Sequence, residues 1–304
     1  MVKRICVFLS FFFIIFSAVS CTEPYLEIDG TNDEDKGQLV PEEGQLDPYQ
    51  EIEAWFDLFC SSDLGGRYSG SKGIETAVEY ISDIIGRSDS LTVDLFSTDR
   101  CPMRNIIYHI DGLIDSLVVL GAHYDTYGYY NSTPLPGADD NMSGTAVLLS
   151  FIKGLQRDKI QPRYSIDICF FDGEEIGRYG SNHYLDQCEK GIKLYINVDT
   201  CGKLNDGLVV LYNNEYPFLQ DVFDWFRPLV RDVDIRISVY NPKGYTTDCE
   251  PFQRKCIPFV SIQNSTHSYY LHTTMDDVSH ISFEKIDNLA RGLDQYIRVS
   301  YSVN

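Results

Sequence analysis

The sequence predicts an α/β fold in which a mixed, largely parallel twisted sheet is sandwiched between helices. Segments in which apolar residues return every three or four positions alternate with short runs rich in β-branched and aromatic residues. Two of these runs, residues 117–120 and 166–171, are apolar almost throughout, as strands covered on both faces usually are. Regular alternation of this kind is typical of a sheet with helices packed on both sides.

The predicted elements follow one another along most of the chain. Helical periodicity predicts helices over residues 48–59, 73–85, 143–155, 217–230 and 283–299. Composition and length predict strands over residues 105–110, 116–121, 165–171, 194–198, 208–212 and 257–262. Ligands of such folds bind beyond the carboxyl ends of the strands, so we expect the functional residues there.

The first residues have the pattern of a secretory signal peptide. Lys3 and Arg4 precede an apolar run over residues 5–16, and small residues lead from that run to Cys21. The run is shorter than the roughly 20 residues that a membrane-spanning helix needs. We therefore expect residues 1–20 to be cleaved and Cys21 to be lipidated, giving an exported periplasmic or outer-membrane lipoprotein of a bacterium. An ordinary cleaved signal peptide is the alternative.

The rest of the chain divides by composition. Residues 22–47 are rich in Glu, Asp, Gly and Pro and contain few large apolar side chains, which is typical of a segment without a packed core. We expect this segment to be an acidic tether. Residues 48–304 have the length of one large domain that can bury a substantial core, and we expect them to form a single catalytic domain.

The chain is strongly acidic, with a formal net charge of −20. Nucleic acids and anionic membrane surfaces are bound by clustered Lys and Arg, so neither is expected as a partner. A membrane would be contacted only through the lipid anchor. A peptide substrate with a free N-terminal amine is electrostatically compatible with this charge.

The cysteines do not indicate a thiolate metal site. Apart from Cys6 and Cys21 their number is odd, so they cannot all pair. Cys169 lies within a predicted strand and is expected to be a buried thiol, whereas Cys249 and Cys256 could bridge in an oxidising compartment. No CxxC pair occurs in the sequence, so zinc bound by cysteines is not expected.

Polar side chains stand at the ends of several predicted strands. A carboxylate or an imidazole follows each of the strands predicted at 116–121, 165–171, 194–198 and 257–262, and an aspartate pair precedes the helix predicted at 143. Because these positions meet at one edge of a sheet, we expect the side chains to form one site: His123, Asp125, Asp139, Asp140, Glu174, Glu175, Asp199 and His272.

These residue types suit a pair of zinc ions. Zinc binds imidazole nitrogen and carboxylate oxygen and keeps one position for water in catalytic sites, and two ions can share one bridging carboxylate. We expect His123 and Asp199 to hold one ion, His272 and Glu175 to hold the other, and Asp140 to bridge them.

Two further carboxylates have expected roles beside the ions. Glu174 is expected to be the general base that takes the proton of the bound water, and Asp125 to fix the tautomer of His123. Each feature also has a structural explanation. His123 and Asp125 could be a surface pair, and Glu174 and Glu175 a solvated face. Asp139 and Asp140 could cap the following helix.

Five segments taken together resemble a known enzyme family. They are Gly-Ala-His-Tyr-Asp at 121–125, Pro-Gly-Ala-Asp-Asp-Asn-Met-Ser-Gly at 136–144, Phe-Asp-Gly-Glu-Glu at 171–175, Asn-Val-Asp at 197–199 and His-Thr at 272–273. Their order and separations, across about residues 50–304, resemble the zinc aminopeptidases of the bacterial leucyl type, a family that also contains glutaminyl cyclases and glutamate carboxypeptidases.

The resemblance implies the zinc exopeptidase fold and a peptidase activity. It also implies metal ligands at His123, Asp140, Glu175, Asp199 and His272, with Asp140 bridging and Glu174 as base, and a cis peptide bond between Asp140 and Asn141. Two zinc ions are expected for an aminopeptidase. Residues 65–71, Gly-Gly-Arg-Tyr-Ser-Gly-Ser, also resemble a stretch of these enzymes, and no catalytic role is expected there.

One position departs from the family pattern. Asp248 and Cys249 stand where the family usually has Ser-Asp-His, so the aspartate is kept and the histidine is not. Any role of a side chain at position 249 beside the metal ligands is therefore in doubt.

Three alternatives to an aminopeptidase remain. Glutaminyl cyclases of this fold use one zinc, but animal cyclases have Trp before the last histidine, where this chain has Leu271. Trp55 and Trp225 fall in helical patterns away from the motifs, while Tyr127, Tyr269 and Tyr270 could line a pocket in either enzyme. The second alternative is a surface-tethered binding lipoprotein without activity. The third, a carboxypeptidase, would need an arginine for the substrate carboxylate, and Arg178 is the candidate in the motif loops.

Overall fold

A computed structural model describes residues 48–158, 160–212, 233–239 and 247–301. The described helices are α1 (Pro48–Phe59), α2 (Lys72–Ile85), α3 (Ser143–Arg157), α4 (Tyr179–Gln187), α5 (Cys249–Arg254) and α6 (Phe283–Tyr301). The described strands are β1 (Leu91–Ser97), β2 (Pro102–Ile110), β3 (Ile114–His123), β4 (Tyr129–Tyr130), β5 (Thr133–Pro134), β6 (Tyr164–Phe171), β7 (Ile192–Val198), β8 (Leu208–Tyr212), β9 (Ile235–Val239) and β10 (Phe259–Asn264).

Eight of the described strands form one mixed sheet in the order β1-β2-β6-β3-β7-β10-β8-β9. The four central strands β6, β3, β7 and β10 are parallel to one another. β1, β2 and β6 pair antiparallel at one side, and β8 pairs antiparallel with β10 and parallel with β9 at the other. The predicted α/β class and the mixed, largely parallel sheet are confirmed.

Helices cover both faces of this sheet. Side chains alternate between the two faces of a strand, and along β3 Val118 and Leu120 pack into the larger core, which includes α1, α2, α3 and α6. Leu117 and Val119, whose side chains point to the opposite face, pack into a second core beside α4 and α5. Burial on both faces explains why the central strands are apolar without alternation.

Local signals fix where the helices begin. α2 starts after Ser71, whose hydroxyl accepts a hydrogen bond from the N–H of Ile74 at 3.2 Å, as an N-cap residue does. Its apolar positions, including Ile74, Ala77, Val78 and Ile81, are buried on one face. The predicted boundaries of α1, α2, α3 and α6 agree with the structure to within two residues.

Several elements were not predicted. β1 lies at the edge of the sheet and leaves Val93 and Leu95 exposed, so its apolar residues do not mark it as a core strand. α4 is largely polar and has weak helical periodicity. β10 begins two residues later than predicted because Pro258, which has no N–H, precedes it.

Some predictions fall outside the described residues. They are the signal peptide at 1–20 with Cys21, the tether at 22–47, and the helix at 217–230 with Trp225. Trp55 lies in α1 and is buried in the larger core. Within the described part of the chain, no helix combines the length and the apolar character needed to cross a bilayer.

Candidate metal centre

The parallel central strands bring the predicted site residues to one edge of the sheet. His123 is the last residue of β3, Asp199 directly follows β7, and the Glu174-Glu175 pair lies in the turn after β6. His272 comes from the loop after β10. Because β6, β3, β7 and β10 are parallel neighbours, their carboxyl ends meet and the four segments converge.

Two groups of side chains share the carboxylate of Asp140. In one group, Nε2 of His123 lies 3.1 Å from Oδ1 of Asp140 and 3.6 Å from Oδ1 of Asp199. In the other, Nε2 of His272 lies 3.0 Å from Oδ2 of Asp140 and 3.2 Å from Oε2 of Glu175. The ligand atoms of each group lie within 4.8 Å of one another, so each group could hold a metal ion.

Asp140 is carried by an irregular turn before α3. Residues Ala138–Met142 form a π-helical turn in which Asp140 and Asn141 have non-helical backbone angles. The peptide bond between Asp140 and Asn141 is cis, as the resemblance implied. Gly137 precedes the turn with φ of 58° and ψ of 48°, and a Cβ there would lie 2.4 Å from Thr126 Cγ2. Glycine is therefore required at this position.

Asn141 ties this turn to the strand that carries Asp199. Its side-chain oxygen accepts hydrogen bonds from the N–H groups of Gly144 and Thr200 at 3.0 and 3.2 Å. Its Nδ2 donates to the carbonyl of Val198 at 3.0 Å. Asn141 thus fixes the residues on both sides of Asp199 relative to the turn of Asp140. This role of Asn141 was not predicted from the sequence, although Asn141 belongs to one of the motif segments.

Asp139 has a structural role behind the two groups. Its Oδ1 accepts the N–H of Gly202 at 2.9 Å, and its Oδ2 accepts Nδ2 of Asn264 at 2.8 Å and the hydroxyl of Tyr270 at 3.2 Å. Neither Asp139 nor Asp140 caps α3 with its side chain. The helix-cap explanation of the aspartate pair is therefore wrong.

Asp125 contacts both His123 and the glutamate turn. Its backbone carbonyl oxygen lies 3.3 Å and its Oδ1 lies 3.4 Å from Nδ1 of His123, on the ring edge opposite Asp140. The same carboxylate accepts the N–H groups of Glu174 and Glu175 at 3.2 and 3.3 Å. Asp125 is fully buried, so the pair with His123 is not a surface pair, and the carboxylate holds two parts of the site together.

The electrostatics of the cluster are dominated by burial and by crowded carboxylates. Burial raises the pKa of Glu175 to about 7, and the charge of Asp140 adds to this effect. Burial also raises the pKa of Glu174 well above its usual range, opposed by His123. Hydrogen bonds to Asp140 and Glu175 raise the pKa of His272 to about 11. The buried acidic cluster therefore favours added positive charge.

The donor set fits zinc. Two imidazoles and three carboxylates are nitrogen and oxygen ligands of the kind that zinc binds. Glu175 is only 5% exposed in its side chain, so it does not lie on a solvated face, and its Oε1 is buried without a hydrogen-bond partner. A buried carboxylate oxygen without a partner is costly, and a bound cation would satisfy it.

Aromatic side chains surround His272. The ring of Tyr127 stacks on the imidazole with centroids 4.9 Å apart and planes 15° from parallel. Tyr127 and Tyr269 are exposed, whereas Tyr270 is buried. His272 itself has φ of 57°, a conformation uncommon for a residue other than glycine. Tyr127 and the loop after β10 thus hold this imidazole at the mouth of the site.

The family model for peptidase family M28 matches residues 105–297, which is more than half of the chain. The chain belongs to peptidase family M28. The matched region of this M28 chain contains both groups that share Asp140. The resemblance inferred from the five motif segments is confirmed at the level of the family.

Known proteins with similar sequence or structure are named as peptidases and cyclases. A probable leucine aminopeptidase of Arthroderma otae is 27% identical over 252 residues, covering 75% of this chain. An aminopeptidase of Legionella pneumophila has a TM-score of 0.70 at 17% identity, over 84% of this chain and 72% of its own. A glutaminyl cyclase of Tannerella forsythia has a TM-score of 0.67 at 18% identity, over 82% of this chain and 97% of its own.

These similarities define the fold of the M28 chain. The two structural matches share the fold at low sequence identity and include both kinds of enzyme. The match to the Arthroderma otae protein spans 66% of that relative, slightly less than two thirds of its length.

The departure at position 249 leaves Asp248 in place. Asp248 is buried, and one of its oxygens accepts a hydrogen bond from Ser181 Oγ while Oδ2 has no partner. Burial raises its pKa to about 7. Cys249 is a buried thiol that forms no disulfide, so the bridge to Cys256 considered from the sequence does not form.

Arg178 is engaged by another side chain. Its Nη2 lies 2.7 Å from Oε2 of Glu250. A guanidinium paired in this way is less suited to bind a substrate carboxylate, which weighs against the carboxypeptidase alternative.

Proposed function

We propose that this chain is a zinc-dependent aminopeptidase that removes N-terminal residues from peptides. The observation that carries the proposal is the arrangement of two potential ligand groups around one shared carboxylate, Asp140. Membership of peptidase family M28 and the similarity to a protein named as a probable leucine aminopeptidase support it.

In this proposal two zinc ions occupy the site. His123 and Asp199 would hold one ion, His272 and Glu175 the other, and the two oxygens of Asp140 would each face one ion. Bound zinc would supply a Lewis acid for the scissile carbonyl and would acidify a bound water. The three carboxylates would balance much of the charge of two dications.

Glu174 is proposed to transfer the protons. Its carboxylate, next to the ligand Glu175, is proposed to accept a proton from the attacking water and to return it to the leaving amine. The backbone N–H of Glu174 is held by Asp125 at 3.2 Å. We therefore propose that the Asp125 carboxylate orients the base, and that its carbonyl and carboxylate oxygens together fix the Nδ1 proton of His123.

The acidic cluster also suits the substrate. A protonated N-terminal amine is attracted by the net charge of −20. A glutaminyl cyclase with one zinc is the alternative within the same fold. The leucine at position 271, where animal cyclases have tryptophan, favours the peptidase.

We further propose that the catalytic domain, residues 48–304, is exported and anchored through a lipid on Cys21. Support comes from the basic, apolar and small-residue order of residues 1–20 and from the acidic composition of residues 22–47. The anchor would be the sole contact with a membrane. Nucleic acids are not proposed as partners.

A panel of fluorogenic substrates tests the activity. The panel contains peptides with a free amine, the same peptides with an acetylated amine, and N-terminal glutaminyl peptides. Each substrate is tested with and without a chelator, on the wild type and on a Glu174→Gln variant. The proposal predicts chelator-sensitive cleavage of the free-amine peptides alone. Cyclisation of the glutaminyl peptides would indicate a cyclase, and inactivity of zinc-loaded protein on every substrate would indicate a binding protein.

A further inference from the structure

The segment before Asp140 has backbone groups that no regular helix or strand satisfies. Gly137 lies in the left-handed region, and Asp140 has φ of −116° and ψ of 91°. Buried N–H and C=O groups in such a segment need other partners. Two buried side chains from distant parts of the chain, Arg67 and Asp276, supply most of them.

Arg67 lies before α2 and is 1% exposed. Its guanidinium donates to the carbonyls of Pro136 and Gly137, each at 2.8 Å. It also donates to the carbonyl of Tyr124, the residue between His123 and Asp125, and to that of Phe59, both at 2.8 Å. One buried cation thus joins the turn of Asp140 to the end of β3.

Asp276 lies in the loop that carries His272 and is also 1% exposed. Its Oδ1 accepts the N–H of Asp139 at 2.8 Å, and its Oδ2 accepts the N–H of Asp140 at 3.1 Å. Its backbone carbonyl accepts the N–H of Ala138 at 3.0 Å. The loop of His272 is therefore bonded directly to the backbone of Asp140.

We infer that Arg67 and Asp276 are positioning residues that form a clamp on the turn of Asp140. The clamp consists of the hydrogen bonds of Arg67 to the carbonyls of residues 136 and 137 and those of Asp276 to the N–H groups of residues 138, 139 and 140. It aims the two oxygens of Asp140 at Nε2 of His123 and at Nε2 of His272.

Through Arg67, the clamp gives residues 65–71 a positioning role that was not predicted from the sequence. It rests on the proposed two-zinc site, because its effect is to hold the bridging carboxylate in place before any ion binds. A preformed ligand binds metal more tightly, since the ion does not have to order the turn.

The chemistry of both side chains is specific. Arginine presents five donors in a planar fork, and Arg67 uses them on four carbonyls from three separate segments. The single ammonium of lysine cannot reach them all. Asparagine at position 276 would offer one acceptor and turn its NH₂ group toward a backbone N–H. Arg67→Lys and Asp276→Asn therefore weaken the clamp with little change in volume.

Metal binding to the metal-free protein tests the clamp. Zinc affinity is measured by competition with a chelator, and the visible spectrum is recorded after loading with cobalt, for wild type, Asp276→Asn, Arg67→Lys and the double variant. Asp277→Asn is the matched control, because Asp277 neighbours Asp276 but its carboxylate accepts the N–H of Ser279 at 2.9 Å and is exposed. Circular dichroism and Tm of each metal-free variant report folding.

We expect Asp276→Asn and Arg67→Lys each to weaken zinc binding by about tenfold or more and to alter the cobalt spectrum. Asp277→Asn should change neither. The double variant should lose less than the product of the two single losses, because both residues act on one turn. Wild-type affinity and an unaltered spectrum in both single variants, with only Tm lowered, would overturn the clamp. Absence of zinc binding by the wild type would overturn the proposed function together with the clamp.

Discussion

Nε2 of His272 lies 3.0 Å from Oδ2 of Asp140, although more than a hundred residues separate them in the chain. The other oxygen of the same carboxylate faces His123 at 3.1 Å. A single aspartate thus joins a histidine at the end of a central strand to a histidine in a late loop.

The two adjacent glutamates are predicted to have different roles. Glu175→Ala removes a carboxylate that lies 3.2 Å from Nε2 of His272, so metal content and activity should fall together. Glu174→Gln removes only the proton acceptor, so both ions should remain while kcat falls by roughly 10²- to 10⁴-fold. Metal analysis beside steady-state kinetics checks both variants. Loss of metal from Glu174→Gln but not from Glu175→Ala would reverse the assignment.

Asp125 is predicted to act on both His123 and the glutamate turn. Asp125→Asn offers an acceptor to only one of the two N–H groups of Glu174 and Glu175, and it presents an amide in place of the carboxylate beside Nδ1 of His123. We expect zinc affinity or kcat to fall by roughly 10- to 100-fold. Asp111→Asn is the control, because Asp111 is exposed and directly follows β2 at the edge of the sheet opposite the site. Unchanged affinity and kcat in Asp125→Asn would refute this role.

His109 is predicted to make stability depend on pH. A hydrogen bond with Asp167 raises the pKa of His109 above its usual value, while burial opposes the shift. Asp111 also raises this pKa and Lys190 lowers it. Because the pKa of His109 is higher in the folded state than in the unfolded state, its protonation stabilises the fold. This contribution is fully present below the unfolded-state pKa of about 6.5, and it is lost as pH rises through the folded-state pKa.

The corresponding variant is His109→Gln, which cannot become charged. Its Tm should fall further below that of the wild type at about pH 5.5 than at about pH 8.5. Thermal melts of both proteins at the two pH values give the comparison. An equal difference in Tm at both values would show that the charge of His109 does not stabilise the fold.

Export with a lipid anchor leads to a simple fractionation experiment. If Cys21 is lipidated, Cys21→Ala should move the protein from the membrane fraction to the soluble fraction of the host. Cys6→Ala is the control, because Cys6 lies within the apolar run of the leader. If Cys21→Ala and the wild type partition in the same way, Cys21 does not carry a lipid anchor.

Much of the fold and the positions of the site residues followed from the sequence for one physical reason. His123, Glu175 and Asp199 each come at or just after the end of a central strand, and parallel strands bring their carboxyl ends together. A nearly continuous apolar run is a strong signal in β3 and β6, which are buried on both faces.

Other features could not be predicted because they depend on how loops fold in three dimensions. Arg67 donates to a backbone carbonyl 70 residues later in the chain, and Asp276 accepts an N–H from a residue 137 positions before it. Nothing in the local sequence of either residue indicates these contacts. The carboxylate of Asp125 holds the N–H groups of Glu174 and Glu175 for the same reason. Edge strand β1 escaped prediction because its exposed apolar residues do not show a buried pattern.

Anomalous scattering from crystals of the zinc-loaded protein shows whether two zinc ions share the carboxylate of Asp140. Data on both sides of the zinc absorption edge locate each ion independently of the ligands. We expect two strong peaks about 3.5 to 4 Å apart, one beside each oxygen of Asp140. A single fully occupied peak, with His123 and Asp199 bound to no metal, would contradict the two-zinc aminopeptidase and favour a one-zinc cyclase.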